Sequence, residues 1–208
     1  SDRVAKDYLQ SFQKIAERIE RADCIEDWYT INDNLIDWSV KFDNLGDQGL
    51  GQLLEEQWRE ANQQFTRFIE VNYENWLRSK EKPLMSPDII SSYLQKNIQN
   101  DEKVVLIIMD CLRADHLKAM TNQLAQIFHI DLDYYLSILP TATPYSRNAI
   151  FSGYFPNKLQ KEYSDIWLEM WQDENSMNRF EDQFLRDQIT RLGFKSKSIH
   201  YHKVISYE

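Results

Sequence analysis

Residues 103–115 read KVVLIIMDCLRAD, an apolar run that stops abruptly at an aspartate. The run from Val104 to Met109 has the length and the β-branched content of a strand that is buried on both faces, as in a parallel sheet. Asp110 would then lie at the carboxyl end of that strand, where open α/β sheets bind their ligands. The run therefore predicts an α/β fold with a mainly parallel sheet and a carboxylate at its functional edge.

The residues after Asp110 predict a βαβ unit. A helical pattern of apolar residues runs from Leu112 to Phe128, and a second predicted strand follows at about residues 134–139. Because crossovers between parallel strands are right-handed in nearly all proteins, both strands would end on the same edge of the sheet. We therefore expect Asp110 and Thr143, which follows the second strand, to be neighbours at that edge.

Thr143 stands where a further helix is predicted to start. Threonine is a good N-cap and Pro144 suits the first helical position, so the pattern predicts a helix from Thr143 to about Ser152 that ends at Gly153. The Thr143 hydroxyl would then lie at the positive end of the helix, where backbone N–H groups attract anions. Spacing alone leaves two interpretations open: an ordinary cap, or a nucleophile activated by a metal at Asp110.

Two segments together resemble the PglZ branch of the alkaline phosphatase superfamily: MDCLRAD at residues 109–115 and PTATPYSRNAIFSG at residues 140–153. In that superfamily the first strand ends in a metal-binding Asp, which matches Asp110. A nucleophilic Ser or Thr caps a following helix, which matches Thr143. The resemblance implies a metal-dependent phosphodiesterase or phosphatase in which Thr143 attacks phosphorus and forms a phosphothreonyl intermediate, with Asp110 and Thr143 binding the same metal.

The resemblance also implies two divalent metals, commonly zinc, held by several Asp and His residues. Asp110 and Thr143 supply two ligands, whereas a catalytic zinc needs about three from the protein. No Asp and His cluster of the family type follows Thr143 in the sequence. We therefore expect the remaining ligands to lie outside this chain, in the rest of the catalytic domain downstream, and residues 83–208 to be an incomplete domain that is inactive alone.

Two residues of the predicted nucleophile helix are candidates for binding substrate. Arg147 falls on its first turn, where a phosphate would lie, and a guanidinium suits phosphate oxygens. A solvent-facing arginine is the open alternative. Asn148 is a further candidate of the same kind. The resemblance implies phosphodiester substrates, among them short or cyclic nucleotides.

The C-terminal part of the chain predicts packing elements. Helical patterns cover residues 158–172 and 176–192, and residues 194–204 form a third predicted strand. His200 and His202 alternate on that strand, so they would share a face, but no carboxylate or cysteine accompanies them at ligand spacing. We interpret them as surface or sheet residues.

The N-terminal part of the chain predicts a three-helix bundle. Three apolar patterns with helical spacing are separated by short breaks, which favours antiparallel neighbours. The patterns cover residues 2–22, 25–45 and 53–79, and a glycine-rich break lies at residues 46–51. The aromatic residues in these patterns are interpreted as core rather than as a ligand-stacking surface.

A domain boundary is predicted near Pro83, so that residues 1–82 form a helical linker domain and residues 83–208 the phosphatase-like part. The family members that the chain most resembles are response regulators linked to bacterial type IX secretion. That resemblance implies a receiver domain upstream, whose signal would pass through the bundle. Dimerisation through the bundle is then expected.

Composition narrows the function classes. The 208 residues carry a net charge of −9, which argues against a broad nucleic-acid-coating surface. Two cysteines far apart in the sequence predict reduced thiols rather than a disulfide. With no signal peptide and no long apolar span in the sequence, we expect a cytoplasmic protein that does not enter the membrane.

Three alternatives use the same residues differently. The main one is a signalling or interaction module on a phosphatase-like fold that has lost catalysis. A receiver phosphoacceptor strand would need an acidic pair after an earlier strand, and a dehalogenase-type phosphatase would need an Asp at position 112, which is Leu. Both of these sequence patterns are missing.

Overall fold

A computed structural model describes residues 2–45, 48–173, 176–195 and 197–204. The chain divides into two compact units, the first formed by Ser1–Pro83 with Cys111–Tyr134 and the second by Leu84–Asp110 with Tyr135–Glu208. Residues 111–134 therefore group with the N-terminal segment in space. The division of the protein into domains at residues 82 and 83 stays a prediction.

The first unit contains the expected three-helix bundle. Its helices are α1 (Asp2–Arg21), α2 (Ile25–Leu45) and α3 (Gln48–Arg78), and each packs against the other two. Tyr8 is fully buried at the centre, with its ring edge-on to Trp38 and Phe42 at centroid distances of 5.1 and 4.9 Å. Tyr8, Trp28, Trp38 and Phe42 are thus core, and the other aromatic residues of the apolar patterns are half-buried. The predicted break lies partly outside the described residues, at positions 46 and 47, and residues 48–51 already belong to α3.

Helix α5 (Ala114–Leu124) also belongs to the first unit and packs against α2. Lys118 of α5 forms an ion pair with Asp37. Further along the chain, the Tyr134 ring stacks on Tyr29 at 4.8 Å, and its hydroxyl donates a hydrogen bond to Asp33. A helix after Asp110 was expected and is present, but it packs on the bundle instead of crossing over a sheet.

The prediction of an α/β fold with a parallel sheet is wrong. In the described part of the chain, the regular structure is helical apart from one isolated parallel bridge between Met85 and Leu136. The apolar run at residues 104–109 forms no strand. A strand exists only through hydrogen bonds to a neighbouring strand, and apolar composition alone does not provide that neighbour.

The two other predicted strands fail for the same reason. At residues 134–139 the backbone N–H of Leu136 donates to the Leu84 carbonyl at 2.8 Å, and that of Ile138 donates to the Ser86 hydroxyl at 3.1 Å. Residues 194–204 form no strand at their described positions, and residue 196 lies outside them. A single bridge and a side-chain contact do not make a ladder.

The second unit is built from short helices. A 3-10 turn (Ser86–Asp88), a π-helical turn (Ile90–Leu94) and α4 (Gln95–Gln99) precede the long connection through Asp110. The remaining helices are α6 (Thr143–Ser152), α7 (Pro156–Glu162), α8 (Ser164–Met170) and α9 (Glu181–Arg191). Phe151, Leu159, Met170 and Phe184 form their buried core. No helix among the described residues is long and apolar enough to cross a membrane.

Candidate functional site

Helix α6 carries most of the predicted site residues. It begins at Thr143, and Ala142 is the N-cap, whose carbonyl accepts the backbone N–H of Ser146 at 3.0 Å. The prediction of Thr143 as the cap with Pro144 as the first helical residue is therefore wrong by one position. Because Ala142 is the N-cap, the Thr143 hydroxyl makes no capping bond. This hydroxyl has no hydrogen-bond partner among the described residues. Gly153 ends the helix in the left-handed conformation, as predicted.

Asp110 lies in the irregular segment between α4 and α5, and its side chain is 49% exposed. One of its oxygens, Oδ2, accepts a hydrogen bond from Nη1 of Arg147 at 2.6 Å. Arg147 follows Thr143 by four positions on α6, and residues at this spacing lie on the same helix face one turn apart. The ion pair therefore brings the Asp110 carboxylate to the first turns of α6.

Arg147 is held on a second side by Glu181, the first residue of α9. Its Nη2 donates to Glu181 Oε2 at 2.6 Å, and the Glu181 side chain is fully buried. Although burial by itself lowers the pKa of the Arg147 guanidinium, the hydrogen bonds and charges of Glu181 and Asp110 outweigh it and raise that pKa above its usual value. Arg147 is thus a permanently charged link between two carboxylates.

Two further donors satisfy Glu181. The Tyr201 hydroxyl donates to Oε2 at 2.7 Å, and the Asn178 amide donates to Oε1 at 3.0 Å. Asn178 Nδ2 also lies 3.4 Å from the Thr143 carbonyl. Burial, followed by the hydrogen bond to Glu181, raises the pKa of Tyr201, so this hydroxyl keeps its proton and remains a donor. Glu181 of α9 therefore joins Arg147 of α6 to Tyr201 and Asn178.

Asn148 is fully buried. Its amide nitrogen donates to the carbonyls of Pro144 at 2.7 Å and Met177 at 2.8 Å. Its Oδ1 is buried with no hydrogen-bond partner among the described residues. This placement gives Asn148 a packing role between α6 and the segment before α9, and its contact with substrate stays a prediction.

Sequence reasoning did not single out Glu181, Tyr201 or Asn178. A signal for Glu181 was present, because it precedes Phe184 and Leu185 by three and four positions and so shares the apolar face of α9. A carboxylate on an apolar face needs a buried partner. The sequence does not show which cation that partner is.

Other ionisable clusters are explained by local structure. Among the described residues, only Asp23, Cys24 and Asp27 bring three metal-type ligands together; Asp23 and Cys24 are exposed and Asp27 is half-buried. The Asp27 carboxylate there accepts the backbone N–H groups of Asp23 at 3.2 Å and Cys24 at 3.4 Å, which caps the start of α2. His200 and His202 are both exposed, and neither belongs to a metal-type group in the described part of the chain.

Two family models match the chain. Residues 1–77 match the PorX response regulator linker domain, and residues 90–208 match the PglZ alkaline phosphatase-like domain of BREX systems. No curated protein matches the chain. The two matches confirm the resemblance that residues 109–115 and 140–153 indicated.

Proposed function

Because the chain belongs to the PglZ alkaline phosphatase-like family through residues 90–208, we propose that it is part of a metal-dependent phosphodiesterase or phosphatase with Thr143 as the nucleophile. The observation that carries this proposal is the ion pair between Asp110 and Arg147, at 2.6 Å. It joins the predicted metal ligand to the helix that begins with the predicted nucleophile.

The surroundings of Thr143 support a reactive hydroxyl. Thr143 is half-buried at the first position of a ten-residue helix, so its side chain lies where the helix dipole is positive. Its hydroxyl has no hydrogen-bond partner among the described residues and is available for a substrate. A phosphoryl group approaching there would meet the positive end of the α6 dipole, which favours an anion.

The charges around Arg147 support a cation site at Asp110. Two carboxylates, Asp110 and Glu181, share one guanidinium, which leaves an excess of one negative charge, and Asp110 is the exposed member. A carboxylate and a hydroxyl oxygen suit a divalent metal, but two ligands fall short of the three or four that zinc takes. We propose that Asp110 and Thr143 hold one of two zinc ions together with ligands outside this chain. Such a metal would favour the alkoxide form of Thr143 and polarise the phosphoryl oxygens.

Arg147 is the proposed substrate-binding residue. It has five N–H donors, of which one on Nη1 and one on Nη2 are used by Asp110 and Glu181. The second N–H of each terminal nitrogen can bind phosphoryl oxygens as Thr143 attacks in line. The proposed substrates are phosphodiesters such as short or cyclic nucleotides. In the proposed first step Thr143 Oγ1 bonds to phosphorus and one P–O ester bond breaks, so the phosphothreonyl enzyme keeps the second ester group on its phosphate.

The match of residues 1–77 to the PorX linker domain supports a regulatory setting. We propose a cytoplasmic response regulator with a receiver domain upstream of the bundle, whose phosphorylation controls the phosphatase-like part. Control of type IX secretion and dimerisation through the bundle belong to the same proposal.

The test uses the full-length protein and two threonines that are two positions apart, Thr143 at the start of α6 and Thr141 before it. Thr143→Ala should lower the turnover of bis(4-nitrophenyl) phosphate at least about a thousandfold, as expected when a covalent nucleophile is removed. Thr141→Ala is the matched control, because Thr141 is exposed and its hydroxyl makes no hydrogen bond in the described structure. Acid quenching followed by mass spectrometry should find a 4-nitrophenyl phosphate group on Thr143 in the wild type, because the first step releases only one 4-nitrophenolate.

A second candidate function is a binding module without catalysis. It is favoured by the guanidinium that already satisfies Asp110 and by the shortage of metal ligands among the described residues. Equal turnover in Thr143→Ala and wild type would remove Thr143 from the mechanism. Absence of both bound metal and turnover in the full-length wild type would establish the binding module instead.

A further inference from the structure

We propose that Glu181 is a positioning residue that holds Arg147 in place for the phosphoryl group. This inference rests on the proposed function of Arg147 and adds a residue from a different helix to that site. It follows from the burial of Glu181, from its three donors and from the different exposure of the two carboxylates that Arg147 contacts.

The burial of Glu181 requires a charge partner. A fully buried carboxylate is tolerated only when it is paired and hydrogen-bonded. Arg147 is the only cation that contacts it among the described residues, at 2.6 Å. Tyr201 and Asn178 add two neutral donors at 2.7 and 3.0 Å, so the carboxylate is fixed from three directions.

The two carboxylates bound to Arg147 differ in how easily they can be replaced. Asp110 is 49% exposed, whereas Glu181 is fully buried. If Asp110 serves as a metal ligand, its oxygen can leave Nη1 and be replaced there by a phosphoryl oxygen. Glu181 has no access to water or to ligands, so it stays on Nη2 and fixes the plane of the guanidinium. Arg147 is therefore already ordered before an anion arrives, so binding the anion costs little further side-chain entropy.

The surroundings of Arg147 agree with a fixed orientation. Its Nε is buried with no hydrogen-bond partner in the described structure, so the accessible donors are those of the terminal nitrogens. The guanidinium is anchored between α6 and α9, which pack closely against each other. Rotation of the Arg147 guanidinium away from Glu181 would leave a buried carboxylate without a charge partner, and the free-energy cost of that state holds the guanidinium in its orientation.

The experiment is a double-mutant cycle in the full-length protein, read out by KM for bis(4-nitrophenyl) phosphate and by the inhibition constant of inorganic phosphate. Glu181→Gln keeps the shape of the side chain and removes its charge. We expect both constants to rise about tenfold, the effect of losing a charged hydrogen bond on Arg147, with a smaller change in kcat. Because Glu181 acts through Arg147, the double variant with Arg147→Ala should bind phosphate no more weakly than Arg147→Ala alone.

Tyr201→Phe covers the case in which Glu181→Gln does not fold. It removes one hydrogen bond from Glu181 and leaves every charge in place. It should weaken phosphate inhibition about threefold, the size of a typical net hydrogen bond and less than for Glu181→Gln, because Arg147 keeps its ion pair with Glu181. Unchanged phosphate inhibition in this variant and in any folded Glu181→Gln protein would overturn the positioning role, as would additive effects of Glu181→Gln and Arg147→Ala.

The outcomes separate this inference from the proposed function. If wild type hydrolyses the phosphodiester, Thr143→Ala does not, and Glu181→Gln behaves as wild type, only the role of Glu181 is overturned. If wild type neither hydrolyses the phosphodiester nor binds inorganic phosphate, both proposals are overturned together.

Discussion

The hydroxyl of Tyr163 shows how one residue couples folding to pH. It donates a hydrogen bond to Asp187 at 2.8 Å and lies 3.3 Å from Nη1 of Arg191. Burial, together with the hydrogen bond and charge of Asp187, raises the pKa of Tyr163 to about 12. In the unfolded chain the same group ionises near its usual pKa of about 10. The folded state therefore keeps a proton that the unfolded state loses.

The sign of the effect follows from proton linkage. A raised pKa stabilises the fold below pH 10, and this contribution is lost as the pH rises from about 10 through about 12. Tyr163→Phe cannot lose that proton. We expect this variant to be less stable than wild type below pH 10, and the difference in unfolding free energy, measured by urea titration, to shrink as the pH rises from about 10 to about 12. Tyr154→Phe is the control, since the Tyr154 hydroxyl makes no hydrogen bond in the described part of the chain. A constant deficit for Tyr163→Phe would contradict the linkage.

At the scale of elements, the end of α6 depends on a glycine. Gly153 has a φ of +66°, and a Cβ at this position would clash with the side-chain amide of Gln188 on α9. Gly153 thus both terminates α6 and allows α9 to pack against it.

Gly153→Ala should therefore lower the unfolding free energy by about 1–3 kcal/mol, the cost of a non-glycine residue in a left-handed conformation, with the contact to Gln188 adding to it. Gly51→Ala is the matched control, because Gly51 lies within α3 and a Cβ there would meet nothing within 4 Å. That substitution should raise stability by about 0.5–1 kcal/mol, the difference in helix propensity. Thermal or urea unfolding of both variants checks the pair, and equal effects would contradict the argument.

The elements that sequence could predict are those set by local patterns. The helices of the bundle follow from apolar spacing, and the end of α6 follows from Gly153, because both depend on residues that are neighbours in the sequence. The sheet could not be predicted in this way, since a strand needs a partner elsewhere in the chain. In the run at residues 104–109, Val105 and Ile107 are 83% and 75% exposed, although the pattern predicts burial on both faces.

The candidate site divides along the same line. Thr143 and Arg147 share a face of α6 because they are four positions apart, which the sequence shows directly. The ion pair of Asp110 with Arg147 and the contact of Glu181 with the same guanidinium join residues more than thirty positions apart. Tertiary packing sets these pairs. Local sequence rules therefore identified Asp110 and Arg147 as site residues but did not show that they pair or that Glu181 joins them.

At the scale of the whole molecule, each of the two units is formed by two segments of the chain that are not consecutive in sequence. The first unit takes residues 111–134 from between the two parts of the second, so the chain passes between units after Pro83, Asp110 and Tyr134. Helix α5, which lies in that segment, packs on α2 of the bundle. Its eleven residues are too few for a helix to be stable alone in water, where about 12–15 are already marginal. The bundle therefore stabilises α5.

Two fragments of the chain test this dependence. In residues 1–134, α5 keeps α2 and the ion pair between Lys118 and Asp37, so its amide protons should exchange slowly with deuterium. In residues 84–208, α2 is absent, and the amides of α5 should exchange about as fast as those of an unfolded peptide. The amides of α9 serve as an internal control, because its packing partner α6 is present in the second fragment. Slow exchange of α5 in residues 84–208 would show that the helix does not need the bundle, and would favour a division of the protein near residue 83.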